Sequence, residues 1–322
     1  MRNVKRSEVL AGSLAFAAAP AVAGAQAPTK LRVAVTADED VVGLLYAQQA
    51  GLFRKAGLDL DVTRMNGSAE ITAALIGGSL DIGKVSTYNI ILAHAKGIPL
   101  VIEAPAAIYI RTTNGVGDVA LVVAKNSPIA KGADLNGKTM ATNGIGDYLS
   151  LSVMAWVDDA GGDSKTLHFV EVPRSAIAAA ILSGRVDAGI LAQPNLNAAL
   201  AGGCKIVGFP LDVFGKQYVA TAFVTTPAIA AANAPALARF RRALSDGSAF
   251  ANTHQSVVLP LLASFTNDPS QVSGLVNVVV GTQARLRDPS MFQPMIDAAL
   301  KYKTIPAGFR YTDMIDPAAL AG

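Results

Sequence analysis

Two ten-residue stretches constrain the fold of this chain more than any other feature: ALIGGSLDIG, beginning at Ala74, and AILSGRVDAG, beginning at Ala180. They share the skeleton A-[LI]-[IL]-x-G-x-[LV]-D-x-G, and Asp187 follows Asp81 by 106 residues. Solenoid units recur every ~20–50 residues, so this spacing marks two similar lobes. In each copy a helix rich in Ala, Leu and Ile closes at a glycine, Gly78 or Gly184, able to take the left-handed conformation. An aspartate then enters a strand, and Gly83 or Gly189 inside that strand permits close approach of another group. These residues read as structural punctuation. The functional weight falls just downstream, on Ser86-Thr87 and on Gln193, because open α/β sheets bind ligands beyond the carboxyl ends of their strands.

The surrounding pattern alternates strand and helix. LRVAV (31–35) is followed by a helix over 41–57, LDLDVTRM (58–65), a helix opening near Ser68, LDIGKVS (80–86), TYNIILAHAKG (87–97) and PLVIEAPA (99–106). RTTNGVGD (111–118) breaks the rhythm, and a second set follows through HFVEV (168–172), VDAGILA (186–192) and CKIVGFP (204–210). The chain then returns through YVATAFVTT (218–226) and becomes helical, with an amphipathic run over 235–254. The expectation is an α/β protein of two doubly wound lobes joined by a two-segment hinge. Lobe I would be discontinuous, residues 30–118 and 222–322, and lobe II would span 119–221.

The N-terminus stands apart. Arg2, Lys5 and Arg6 precede an Ala-rich apolar stretch, and Ala23 and Ala25 form an A-x-A site before Gln26, so residues 1–25 read as a secretory signal peptide. Removing it leaves 297 residues, beyond the size at which a single core stops growing. A net charge of +3 without a dense Lys/Arg stripe argues against nucleic acid. Cys204 is the only cysteine, which excludes an intramolecular disulfide. His94, His168 and His254 are scattered without metal-ligand spacing, and no G-x-S-x-G, P-loop or dinucleotide-binding motif occurs. Neither catalysis nor a cofactor nor a metal is expected.

Several separated pieces carry a family resemblance: LLYAQQAGLFRKAGLDLDVTRMNGSAE, AALIGGSLDIGKVSTYNIILAHAKGIPL, LVVAKNSPIAKGADLNGKTMATNGIGDYLS and AAAILSGRVDAGILAQP. In order and spacing the chain resembles the SsuA/THI5-like (NMT1-like) substrate-binding proteins of ABC transporters. The resemblance implies a type II periplasmic-binding-protein fold that closes over one small ligand. It also implies delivery to an ABC permease and ATPase at the inner membrane, by a protein that is a periplasmic monomer. Family ligands include sulfonates, nitrate-like anions, aromatic acids and thiamine-precursor pyrimidines. A small polar, anionic ligand is the reading preferred here; a pyrimidine, amine or aromatic ligand, or a sensory binding protein, is the alternative. The family often carries an acidic residue before proline where this chain has Gln193-Pro194.

Helix N-termini facing a cleft offer free amides to an anion. The candidate contacts are therefore Ser68, Ser86 and Thr87, and the turn Asn143-Gly144-Ile145-Gly146 with Tyr148 just after it. Thr36, Asp38 and Asp40 occupy the first strand-to-helix loop, where the carboxylates either stabilise the helix start or hold a ligand amine. Gln193 completes the set. Arg111 and Arg174 are the nearest guanidinium groups.

Overall fold

The computed structural model describes residues 27–110, 119–193, 195–266 and 283–321. The leader expected over residues 1–25, and Arg111 with the crossing expected near 111–118, lie outside the described residues. The strands are β1 (Thr29–Val35), β2 (Leu58–Arg64), β3 (Ile82–Ser86), β4 (Val101–Ile110), β5 (Val119–Ala124), β6 (Thr139–Thr142), β7 (His168–Glu171), β8 (Ala188–Ala192), β9 (Cys204–Gly208) and β10 (Gln217–Thr225). One sheet has the order β2-β1-β3-β10-β4 and the other β7-β6-β8-β5-β9, the same arrangement twice. In each sheet one strand runs against its neighbours: β10 against β3 and β4, and β5 against β8 and β9. Each of these is the strand that enters its sheet from the other lobe.

The helices are α1 (Val42–Gln49), α2 (Leu52–Lys55), α3 (Ser68–Ile76), α4 (Thr87–Ala95), α5 (Tyr148–Asp159), α6 (Arg174–Leu182), α7 (Asn195–Ala201), α8 (Pro227–Thr253), α9 (Gln255–Thr266), α10 (Gln293–Lys301) and α11 (Pro317–Ala321). Two sequence expectations shift. The helix expected over 41–57 is broken at Gly51, whose φ of +70° ends α1 before α2 begins. The return strand is already part of the first sheet from Gln217, earlier than the boundary expected at 222.

The doubled phrase has a specific structural job. Asp81 takes the amide of Arg32 at 2.7 Å and returns its own amide to the Arg32 carbonyl at 2.9 Å. Asp187 takes the amide of Thr139 at 2.9 Å and returns its own to the Thr139 carbonyl at 2.9 Å. Asp81 thus locks β1 to β3 and Asp187 locks β6 to β8, fixing register where a slip would turn every side chain to the wrong face. The strand glycines serve packing. A Cβ on Gly83 would lie 2.3 Å from Ile71 Cγ2, and one on Gly189 would lie 2.5 Å from Ile177 Cγ2. Helices α3 and α6 therefore rest directly on strand backbone.

One core lies between the first sheet and α1 and α8, built around Leu44, Phe53, Phe223, Leu237 and Phe240. A second packs Ile177, Ile181 and Leu196 under β5 and β8. The third joins the lobes, running from Val85 and Ile91 through Tyr218 to Leu121 and Val153. The cleft residues are mounted on this shared core.

Candidate functional site

The β1–α1 loop and the centre of the first sheet meet in a charged cluster. Lys84 sits mid-strand in β3 with 1% of its side chain exposed, where an unpaired ammonium would be very costly. Its Nζ lies 3.0 Å from Asp38 Oδ2 and also donates to Asp40 Oδ1. Thr221 on β10 donates to the other oxygen of Asp40, and Thr36 donates to Asp38. Burial alone would lower the Lys84 pKa, but Asp40 and Asp38 outweigh it and hold the group above its usual value. Burial would raise Asp38, yet Lys84 and the Thr36 hydroxyl hold it below the ordinary carboxylate range. Between them, Glu39 is pushed up to about 7 by burial and by Asp40 and Asp38. Glu39 itself is exposed, unlike the buried Asp40 beside it.

The start of α4 comes next along the same edge. The Ser86 hydroxyl caps the helix, accepting from the Asn89 amide at 3.2 Å, and the Ser86 amide donates to Ser68 Oγ at 3.1 Å. Gly67, rather than Ser68, is the N-cap of α3. Thr87 is fully buried, and its hydroxyl has no hydrogen-bond partner.

The second lobe supplies the turn before α5. Asp147 caps the helix by accepting from the Ser150 amide at 2.8 Å, and Ser150 Oγ donates to the Gly144 carbonyl at 2.8 Å. Gly146 takes φ +81°, closing the turn. The Ile145 amide donates to Glu171 at 2.9 Å, so this backbone donor is already engaged. Burial, followed by Asp147, Arg174, Glu39 and Asp38 in order of effect, sets the Tyr148 hydroxyl; only Arg174 opposes the rise, and the group reaches about 12. Those neighbours place Tyr148 opposite the β1–α1 loop of the first lobe.

Where the lobes meet, a cavity of ≈ 60 Å³ is lined by Ser86, Tyr88, Tyr148, Tyr218, Thr221 and Met295, among others. A larger one, ≈ 340 Å³, is lined by Phe53, Arg54, Leu58 and Asp59 at the outer β2 edge, and none of the cluster described above borders it. The smaller cavity is the better candidate because both lobes and the return strand wall it.

The sequence candidates fall into groups. Thr36, Asp38 and Asp40 join one cluster, and Ser68 and Ser86 bond to each other. Ser86 and Tyr148 line the cavity from opposite lobes, and Asn143, Gly144 and Ile145 form the turn leading to Tyr148. Two candidates sit deeper than the rest. Asp40 is 5% exposed and saturated by Lys84 and Thr221, and Thr87 is 0% exposed, so both side chains are held inside the first lobe. Gln193 bonds Asn197 through both its amide atoms, at 3.1 and 3.3 Å, bracing the start of α7. Sequence reasoning missed Lys84, Tyr88, Tyr218, Thr221 and Met295. A lysine in the apolar run IGKVS was a usable signal, since a buried ammonium requires partners.

Among solved structures, the aliphatic sulphonate binding protein SsuA from Escherichia coli is 19% identical at a TM-score of 0.71, covering 90% of this chain and 92% of its own. The nitrate-binding protein NrtA from Synechocystis PCC 6803 is 14% identical at a TM-score of 0.68, with 91% and 87% covered. A putative sulfonate ABC transporter protein, SsuA from Methylobacillus flagellatus KT, is 15% identical at 0.67, with 92% and 93% covered. A comparison with curated protein sequences gives no match. These structures share the periplasmic-binding-protein fold with the chain, two lobes each with its own mixed sheet. Residues 38–256 match the NMT1/THI5-like description, and the chain belongs to that family.

Proposed function

We propose that this protein is the periplasmic solute-binding component of an ABC importer, holding one small polar ligand between its lobes and passing it to a membrane permease driven by an ATPase. The observation that carries the reading is the composition of the interlobe cavity: Ser86 and Tyr88 come from the first lobe, Tyr148 from the second, and Tyr218 and Thr221 from the return strand. A ligand there touches both lobes at once. Contacts completed only when the lobes are together shift the population toward the closed state. The names of the solved relatives, sulfonate and nitrate binders, support solute capture as the role. Periplasmic residence rests on the leader expected over residues 1–25, and no helix among the described residues is long and apolar enough to cross a membrane.

Binding is the reading the cavity wall supports, because it supplies aromatic surface and hydroxyls to a ligand. An anion would follow the named relatives. The carboxylates Asp147, Glu39 and Asp38, whose charges reach Tyr148 on the cavity wall, favour the second reading, an amine or another N–H donor. The test is a thermal-melt screen of the mature protein against sulfonates, nitrate, aromatic carboxylates, amines and pyrimidines. A ligand at about a hundred times its dissociation constant should stabilise by about 2.7 kcal/mol. An unmoved melt for every class, with turnover of any of them, would overturn the proposal.

A further inference from the structure

We propose that the interlobe cavity selects a small organic ammonium ion, its charged head held among Tyr88, Tyr148 and Tyr218; this rests on the solute-binding reading above. Three independent features of the cavity converge on that chemistry.

The first is the wall. Three tyrosine rings and the thioether of Met295 line ≈ 60 Å³, room for a head group of a few atoms. Aromatic faces attract cations through their quadrupole, which is why clustered rings hold alkylated ammonium groups. Tyr218 is held rigid by Tyr109, stacked at 4.8 Å, and by Phe214, edge-on at 5.7 Å.

The second is the charge balance. Asp38, Glu39 and Asp40 surround one ammonium, Lys84, which is already shared between two of them. Across the cleft Asp147 and Glu171 stand with Arg174, whose charge reaches both Asp147 and Asp38. Of the charges that reach Tyr148 on the cavity wall, three are carboxylates, Asp147, Glu39 and Asp38, and one is a cation, Arg174. Three backbone amides that an anion would use are also engaged: the Ser86 amide on Ser68, the Asn89 amide on Ser86, and the Ile145 amide on Glu171.

The third is Tyr88. It is 3% exposed and borders the cavity, and among the described residues its hydroxyl meets only the Thr304 hydroxyl. The nearby Thr304 hydroxyl spends its own proton on the Ala299 carbonyl at 3.0 Å. The Tyr88 oxygen is thus available to an ammonium N–H.

The experiment is calorimetry and thermal melting of the mature chain with choline and n-butylammonium, set against methanesulfonate, nitrate and a neutral aminopyrimidine. The ammonium probes should raise the melting temperature with dose, and the two anions should not. The Tyr148→Phe and Tyr218→Phe variants keep the rings and should bind within about threefold of wild type. Tyr148→Ala should weaken binding by about tenfold or more, equivalent to about 1.4 kcal/mol; its unliganded melt shows whether it is folded. If it does not fold, the two Phe variants decide, because an anion held by the hydroxyls would be lost in both. Stabilisation by an anion or by the neutral pyrimidine alone would overturn the ammonium proposal and leave solute binding standing. No stabilisation by any probe, repeated across the wider screen, would remove both.

Discussion

Replacing Lys84 by methionine keeps the length and most of the volume of the side chain while deleting its charge. With Lys84 gone, Asp40, at 5% exposure, retains only the Thr221 hydroxyl, whereas the more open Asp38 retains Thr36. Breaking a buried pair from one side costs about 3–5 kcal/mol, because an uncompensated charge is left behind. Here the loss should approach 3 kcal/mol, since Asp40 can escape part of it by taking a proton. That escape gives the variant a pH signature. In the wild type Lys84 is raised, so its contribution is present throughout the acid and neutral range and lost only at strongly alkaline pH. Asp38 is depressed, so its contribution is lost only as pH falls below the ordinary carboxylate range. Lys84 and Asp38 should therefore add no slope to wild-type stability between about pH 5 and 8, while the raised Glu39 adds its slope to wild type and variant alike. In Lys84→Met the unpaired Asp40 binds its proton more tightly folded than unfolded, so stability rises as pH falls from 8 to 5. Urea unfolding followed by circular dichroism at both pH values measures the cost and the slope. Adding Asp40→Asn to the variant should recover much of the loss and remove the added slope. A loss under about 1 kcal/mol at pH 8, with parallel pH profiles, would refute the assignment of Lys84 as the partner on which Asp40 depends.

The glycines of the doubled phrase give a paired test. Gly83→Ala and Gly189→Ala would each press a methyl group onto an isoleucine, Ile71 or Ile177, and each should lower stability by about 1–3 kcal/mol in urea unfolding. Asp81→Ala removes the bond to the Arg32 amide along with a partly exposed guanidinium pair, so a loss of about 1 kcal/mol is expected from the same measurement. Burial, then Asp316, pushes Glu103 up to about 7 against the pull of Arg241. The folded state therefore binds this proton more tightly than the unfolded chain, stability should rise as pH falls from about 7 toward 4.5, and Glu103→Gln should flatten that part of the pH–melting curve. Glu39, raised to about 7 in the β1–α1 loop, becomes charged as pH passes that value. Choline affinity measured by calorimetry should accordingly rise between pH 6 and 8 and lose that dependence in Glu39→Gln.

The fold was legible because its signals are local. Helix and strand periods and the closing glycines lie within short stretches, each copy of the doubled phrase is ten residues long, and its aspartates map onto matching hydrogen bonds. The break at Gly51 was harder to see, since QQAGLF continues an apolar pattern and only a left-handed glycine interrupts it. The site was legible only in part. Ser86 and Tyr148 stand beside recognisable helix starts, and both border the cavity. Tyr218, Thr221 and Met295 carry no local motif, and they reach the cavity only because the return strand is inserted between β3 and β4 and the C-terminal segment folds back. Helix N-termini suggested an anion site, but that reasoning cannot see which amides neighbouring side chains will occupy. The glycine turn illustrates the point, because Glu171, 26 residues from Ile145, takes its amide.

Capture of a solute between the lobes is tested most directly by a crystal structure of the mature protein with whichever probe raises its melting temperature most. Ligand density in contact with Tyr88 and Tyr218 on one side and Tyr148 on the other is the expected result. Density confined to the outer pocket at Phe53, Arg54 and Asp59, with the interlobe cavity empty, would contradict it.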